Sequence, residues 1–535
     1  MIDQRPLATT GFWGGRSETA FFFVVCLAQA APLLLFPWFV NWDGPSHVGS
    51  AYILDHWNGG GGEVFRRYLW LDLVPMPNLT SYAVLAALLR VFSPAWAEKI
   101  FVGLVVIGFP AAVRYVLGST RRDGVAFGYL ALPLAVGWFV HGGQYNFCLG
   151  VTLGLLVVGA WLRHPSTRWA ATALLALALV VIFLTHLVAL MFTLVFLGVL
   201  AGWEGWSTKR WLRFAHVVIA AVPAFLLTVW WELSSDAGPP SARLSLRTVA
   251  QALVSMKNAL AVFTSKEVLV GLAIVGALGI LGLVVLARHR RGLGDRSWGL
   301  FAVALAGVAL VLLVPNQIGN GGYVTARLSL IPFLAGLAWV AQFDLSPRLR
   351  IGAAAVGVVA VVALGVMRLP YYRDFNRDFR EYLSASEYIP AGSTVLPLVY
   401  LNHRTTPPGT ARATYIDPIQ ELSSWFISRD GALDLAQYEA GFDSFPIQFK
   451  RSMSPYRHIS DHLFVGEIPP SVDFISYPER TGGSVDFVLT WGLDQAPAAV
   501  RDSPEVADVR RQLAEKYELI YTSERGLLEL YALRD

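Results

Sequence analysis

The residue whose type and place most suggest chemistry is Asp43. It follows an apolar run, in Asn41-Trp42-Asp43-Gly44-Pro45-Ser46-His47. A carboxylate at a membrane surface can serve as general base toward a sugar hydroxyl or bind a divalent metal. It can equally serve a helix start: Pro45 suits a first helical turn, and an acid there is stabilised. These two readings stay open. His47 lies one helical turn on and shares a face with Asp43 if 45–57 is helical. It is a partner of Asp43, a phosphate contact or a metal ligand, or else a plain interfacial histidine.

A second group is cationic. Arg66 and Arg67 lie in the loop after Asp43, and Arg327 opens a later apolar run. Guanidinium groups make fork-like contacts to phosphate. The alternatives are lipid headgroups for the first two and a snorkelling anchor for the third. Further polar residues collect between apolar runs: Gln144-Tyr145-Asn146, Thr185-His186, Glu232 with Asp236, and Asn316-Gln317. No P-loop, dinucleotide fingerprint, HExxH or CxxC stands where it could serve a site.

These residues must be positioned by membrane helices. The chain has 535 residues, 55% hydrophobic and 15% charged, against about 25% charge in soluble proteins. Residues 1–367 hold 25 Lys+Arg and 14 Asp+Glu, and residues 368–535 hold 17 and 24. The stated net charge of +4 thus averages a basic membrane part and an acidic soluble part, and does not point to nucleic acid. Cys26 and Cys148 both lie in apolar runs, so no disulfide framework is implied.

A crossing needs roughly 20 apolar residues. Eleven spans are expected: 19–40, 97–117, 124–141, 147–162, 168–185, 187–203, 213–231, 267–287, 297–314, 327–342 and 350–367. Most read as clean, with no acids inside them. The stretch 168–203 is too long for one crossing and is broken at Thr185-His186. Leu79–Phe92 is short, holds Arg90 and follows Pro75 and Pro77. The positive-inside rule decides its role. If it does not cross, the basic loops (Arg121/Arg122, Arg163/Arg168, Lys209/Arg210/Arg213, Arg288/Arg290/Arg291/Arg296, Arg348/Arg350) all fall inside. It is therefore expected as a juxtamembrane helix on the outer face. The first outer loop is then 41–96, and residues 368–535 lie outside. Strand-like runs at Thr394–Val399, Val485–Trp491, Leu519–Thr522 and Leu527–Ala532, with a helical pattern at Pro504–Tyr517, predict an α/β domain there. The Pro-, Gly- and aromatic-rich stretch from about 400 to 480 is expected as long loops over the membrane part.

On these residues the chain resembles the GT-C superfamily of polytopic membrane glycosyltransferases, including bacterial relatives of protein mannosyltransferases and lipid A aminoarabinose transferases. The likeness rests on Trp42-Asp43-Gly44-Pro45-Ser46-His47-Val48, on Pro75-Met76-Pro77-Asn78-Leu79-Thr80-Ser81-Tyr82, on Gln144-Tyr145-Asn146-Phe147, and on the closing α/β domain. It implies an inverting transferase in a bacterial inner (plasma) membrane. Such an enzyme takes a sugar from a polyprenyl-phosphate or polyprenyl-diphosphate carrier to a glycan, lipid or protein acceptor outside. The family's first-loop acid maps onto Asp43, with Arg66, Arg67 and Arg327 as donor-phosphate candidates. His47, Gln144, Tyr145, Asn146, His186 and Glu232 are the supporting outer-face polar residues. Many members carry two adjacent acids where this chain has Asp43-Gly44. No cofactor is thereby required; a divalent metal on Asp43 and His47 is an open expectation. Two competing readings are a flippase for a lipid-linked sugar and a non-catalytic membrane scaffold. The flippase reading expects Gly/Pro-broken, charged spans in repeated halves, and no repeat is visible.

Overall fold

The computed structural model describes residues 13–59, 61–234, 241, 243–289, 295–318, 321–402, 410–463 and 469–534. Asp236, Arg290 and Arg291 lie outside the described residues. Eight of the described helices are long and apolar enough to cross a membrane: Pro94–Thr120, Arg122–His141, Tyr145–Arg163, Leu187–Thr208, Leu212–Ser234, Ser265–Arg288, Val324–Ala341 and Pro347–Tyr388. The other three expected spans are helical but are not among these eight. The run 19–40 forms Arg16–Gln29 and then a separate turn, Pro32–Leu35. The runs 168–185 and 297–314 form Trp169–Thr185 and Asp295–Leu313.

The second of the eight is the bundle's centre. Arg122–Val136 is wound as a 3₁₀ helix, and nearly all of it is buried. At about 2.0 Å rise per residue its length is about 30 Å, so fifteen residues cover a bilayer core. It packs against Pro94–Thr120 and Pro347–Tyr382. The helix Leu79–Leu89 has 11 residues, about 16 Å long, too short to cross. The break expected at Thr185-His186 is present: one helix ends at Thr185, and His186 caps the next, its Nδ1 accepting from Val188 N at 3.0 Å.

The expectation of acid-free spans fails at Glu98, which is fully buried in Pro94–Thr120. Glu18 and Glu267 are also fully buried and are paired, with Arg114 at 2.5 Å and Arg368 at 2.7 Å. Unpaired charge is costly at such sites, which is why each carries an arginine partner.

The last span does not end at the change in composition. Pro347–Tyr382 is one helix of 36 residues, about 54 Å long, and it carries the chain through 367/368 into the C-terminal region. That region is built on a five-stranded mixed sheet. Its order is Leu433–Asp434, Thr394–Val399, Phe487–Trp491, Leu528–Leu533, Tyr517–Thr522. The first three strands run parallel and the last pairs antiparallel. Thr394–Val399 and Phe487–Trp491 are nearly all buried, as central strands covered on both faces should be. The helix Pro504–Lys516 begins at Ser503, whose hydroxyl accepts from Val506 N. A separate two-stranded ladder pairs Leu69–Leu71 of the first loop with Ile447–Phe449. Thus the stretch expected to lie over the membrane part is stitched to the segment 41–96.

Candidate functional site

The site is built where the first loop meets the turn before Tyr145–Arg163. Asn41 is the organising residue. Its Oδ1 accepts from Gly44 N at 2.6 Å, and its Nδ2 donates to Phe39 O and to Glu98 Oε1, each at 3.0 Å. Tyr145 Oη donates to the same Glu98 oxygen at 2.8 Å. Asn41 therefore holds the first amide of Gly44–His56, and the Asp43 side chain makes no capping bond. Asp43 stands at the helix N-terminus, where an acid is stabilised, but its carboxylate makes no capping hydrogen bond and is open to other work. Trp42 N donates to His141 O at 2.8 Å, drawing the two loops together. Gly143 sits in that contact with φ +73°, and a Cβ there would lie 2.7 Å from Asp43 Cβ, Asp43 N and Gly44 N. Only glycine permits both this backbone conformation and this approach.

Asp43 lines a cavity of about 1190 Å³. Its apolar lining includes Leu187, Leu190, Met191, Leu194 and Val195 from Leu187–Thr208, and Phe225 from Leu212–Ser234. Its polar and aromatic lining includes Asp43, His47, Arg327, Glu232, Tyr323 and Tyr438. Arg327 donates from Nε to Gln144 Oε1 at 2.8 Å, with a second bond from Nη2 to the same atom. Its guanidinium lies 5.6 Å from the Phe147 ring centre.

The Asp43 carboxyl is pushed up from 3.8 to about 7. Burial is the main cause; the His47 charge opposes it, Glu439 adds to it, and a Tyr438 hydrogen bond and Arg327 oppose it. Burial penalises the carboxylate most where water is scarce. His47 is engaged on both nitrogens. Its Nε2 donates to Gly143 O at 2.7 Å, and its Nδ1 lies 2.5 Å from Glu439 Oε1 and 3.0 Å from Tyr82 Oη. Burial alone would lower the imidazole; the Glu439 carboxylate beside it outweighs that and raises it.

Of the residues expected from sequence, Asp43, His47, Gln144, Tyr145, Asn146, His186, Glu232 and Arg327 all line the one cavity. Their roles differ. Tyr145 is turned to Glu98, Asn146 Oδ1 accepts from Ser81 N at 3.3 Å, and His186 is a helix cap. Arg66 and Arg67 are not in the cavity wall. Arg66 donates to Trp57 O, and Arg67 to Gly482 O at 2.5 Å. Both brace the first loop, where backbone carbonyls take up their donors. A metal on Asp43 and His47 does not fit: both ring nitrogens are occupied. Among the described residues no three His, Cys, Asp or Glu side chains gather to hold an ion.

Sequence reasoning missed Tyr438, Glu439, Glu98 and Gly143. Tyr438 and Glu439 sit in Ala436-Gln437-Tyr438-Glu439, which matches no motif; only the ladder at 447–449 and its neighbours bring them to Asp43. A lone Glu in the apolar run at 98 was a readable signal. Neither a protein-family model nor a curated protein matches this chain.

Proposed function

We propose that the protein is an inverting membrane glycosyltransferase that moves a sugar from a polyprenyl-phosphate or diphosphate carrier to an acceptor hydroxyl at the outer face. The observation that carries this reading is the cavity. Its apolar lining suits an isoprenoid tail, and its polar lining sets the Asp43 carboxylate and the Arg327 guanidinium in the same space. Arg327 binds the carrier phosphate, held in orientation by Gln144. Asp43 takes the proton of the acceptor hydroxyl. The acceptor oxygen then bonds to the anomeric carbon as that carbon's bond to the phosphate oxygen breaks. The electron pair leaves with the phosphate, whose charge Arg327 counters. A base that loses its proton near pH 7 is matched to this task. The acceptor is a glycan, lipid or protein hydroxyl, met by lining residues that include Trp231, Glu232, Phe442 and Phe445.

The test is transfer from a synthetic polyprenyl-phosphate sugar by the full chain in proteoliposomes. Wild type is expected to transfer, and Asp43→Asn to lose on the order of 10²–10⁴-fold while inserting normally. Full activity in Asp43→Asn sinks the assignment of the base. Movement of intact lipid-linked sugar across the bilayer without transfer favours the flippase instead.

A further inference from the structure

We propose that His47 and Glu439 form a positioning pair for Asp43, in which the C-terminal region supplies the carboxylate that locks the histidine against the turn carrying the base. This rests on the reading of Asp43 as base given above.

Both ring nitrogens of His47 are engaged. His47 Nε2 faces Gly143 O at 2.7 Å. A carbonyl only accepts, so this nitrogen carries hydrogen. Nδ1 faces Glu439 Oε1 at 2.5 Å. The same nitrogen has Tyr82 Oη at 3.0 Å; with the imidazole protonated, its contact to Glu439 is an imidazolium–carboxylate ion pair. The other Glu439 oxygen accepts from Ser50 Oγ at 2.5 Å. Gln437 ties the same helix face: its Oε1 accepts from Ser46 Oγ at 2.6 Å, and its Nε2 donates to Ser46 O at 3.1 Å and Ser50 Oγ at 2.9 Å. Glu439 and His47 are 0% and 4% exposed, so water does not compete for the bond. The acceptor of His47 is Gly143, the residue whose α-carbon abuts Asp43. The chain of contacts therefore runs from Glu439 through His47 and Gly143 to the Asp43 backbone.

The pair also acts by charge. The groups facing Asp43 are His47 from its own helix, Arg327 and Tyr323 from the turn at 323–328, and Tyr438, Glu439 and Glu421 from the C-terminal region. Those facing His47 are Asp43, Tyr82 from Leu79–Leu89, Tyr145 and Glu98 from the two long helices, and Glu439. His47 is the nearer member of the pair in its effect on Asp43, and its charge outweighs that of Glu439 there. Without Glu439 the buried imidazole becomes neutral, and Asp43 loses a cation that favours its charged form.

The experiment titrates Asp43 directly, by its carboxyl infrared band, in the full chain reconstituted in nanodiscs. The band is assigned by subtracting the Asp43→Asn spectrum. Glu439→Gln, which keeps an acceptor for His47 but no charge, is expected to move the Asp43 midpoint up by about one pH unit. His47→Gln is expected to move it further, because Glu439 is left uncompensated. In the transfer assay the acid limb of kcat should move with the band, with KM little changed. A midpoint that stays in place or falls in either folded variant overturns the pair. If Glu439→Gln does not fold, His47→Gln alone decides. Normal transfer by Asp43→Asn would instead overturn the base, whatever the infrared titration gives.

Discussion

The contact between Gly143 and Asp43 gives a perturbation whose size follows from geometry alone. Gly143→Ala places a methyl 2.7 Å from Asp43 Cβ, Asp43 N and Gly44 N. Two of these are backbone atoms, so no rotamer change relieves the overlap. Carbon contacts settle at about 3.5–4.0 Å, so the 41–44 turn must retreat by about 1 Å. The left-handed φ adds about 1–2 kcal/mol against any residue with a Cβ. Misplacing a positioned group by about 1 Å costs on the order of 10²-fold in rate, or about 2.7 kcal/mol in barrier. Overpacking should lower folding stability by about 1–3 kcal/mol, which leaves the protein folded and assayable. The measurement is kcat for sugar transfer in proteoliposomes beside a thermal melt in detergent. Gly352→Ala is the control, since that glycine is exposed and has nothing within 4 Å. Gly143→Ala within about twofold of wild type, with Gly352→Ala the same, would refute the claim that the two loops fix the base.

Other outcomes follow from the same site. Transfer should rise as pH passes about 7, where Asp43 loses its proton; a flat profile from pH 5 to 9 counts against the base. The folded carboxyl holds its proton to about 7 where the unfolded one yields it near 3.8. Wild-type stability therefore falls as pH rises between those values. Asp43→Asn should accordingly melt higher than wild type above pH 7, with the gap closing below pH 4; parallel melting curves would contradict this. Arg327→Lys keeps charge but loses the two-bond hold of Gln144, and KM for the carrier should rise about 10-fold or more. An unchanged KM removes Arg327 from the phosphate site. For topology, Glu524→Cys should react with an impermeant thiol reagent in intact cells, because Cys26 and Cys148 are buried and contribute no background. Labelling only after lysis would put the C-terminal region inside.

Much of the fold was legible because its causes are local. Strand Thr394–Val399 was expected at its observed bounds, and Pro504–Lys516 at its observed start, since a buried parallel strand and a Ser-capped, Pro-started helix leave short-range marks. The juxtamembrane length of Leu79–Leu89 and the break at Thr185-His186 were equally readable. The 3₁₀ winding of Arg122–Val136 was not, because it follows from being enclosed by neighbouring helices. The run of Pro347–Tyr382 through 367/368 was not either: a change from apolar to charged residues marks where lipid ends, not where a helix ends.

The site divides along the same line. Sequence by itself determined that Asp43, Gln144, His186, Glu232 and Arg327 stand at the ends of apolar runs, because hydropathy marks where those runs stop. It could not say whether Asp43 caps a helix or faces a cavity. The tertiary structure shows an Asp43 side chain with no capping bond in the cavity wall, and a Gly143 that lets the two loops touch. Nor could it separate Arg327 from Arg66 and Arg67, alike as basic residues, until packing gave the latter two to backbone carbonyls. Glu439 lies 392 residues after His47 in the chain, yet the two are 2.5 Å apart. Hydropathy and periodicity act over a few turns of chain. A pairing of that separation is made only when the C-terminal region folds back onto the first loop.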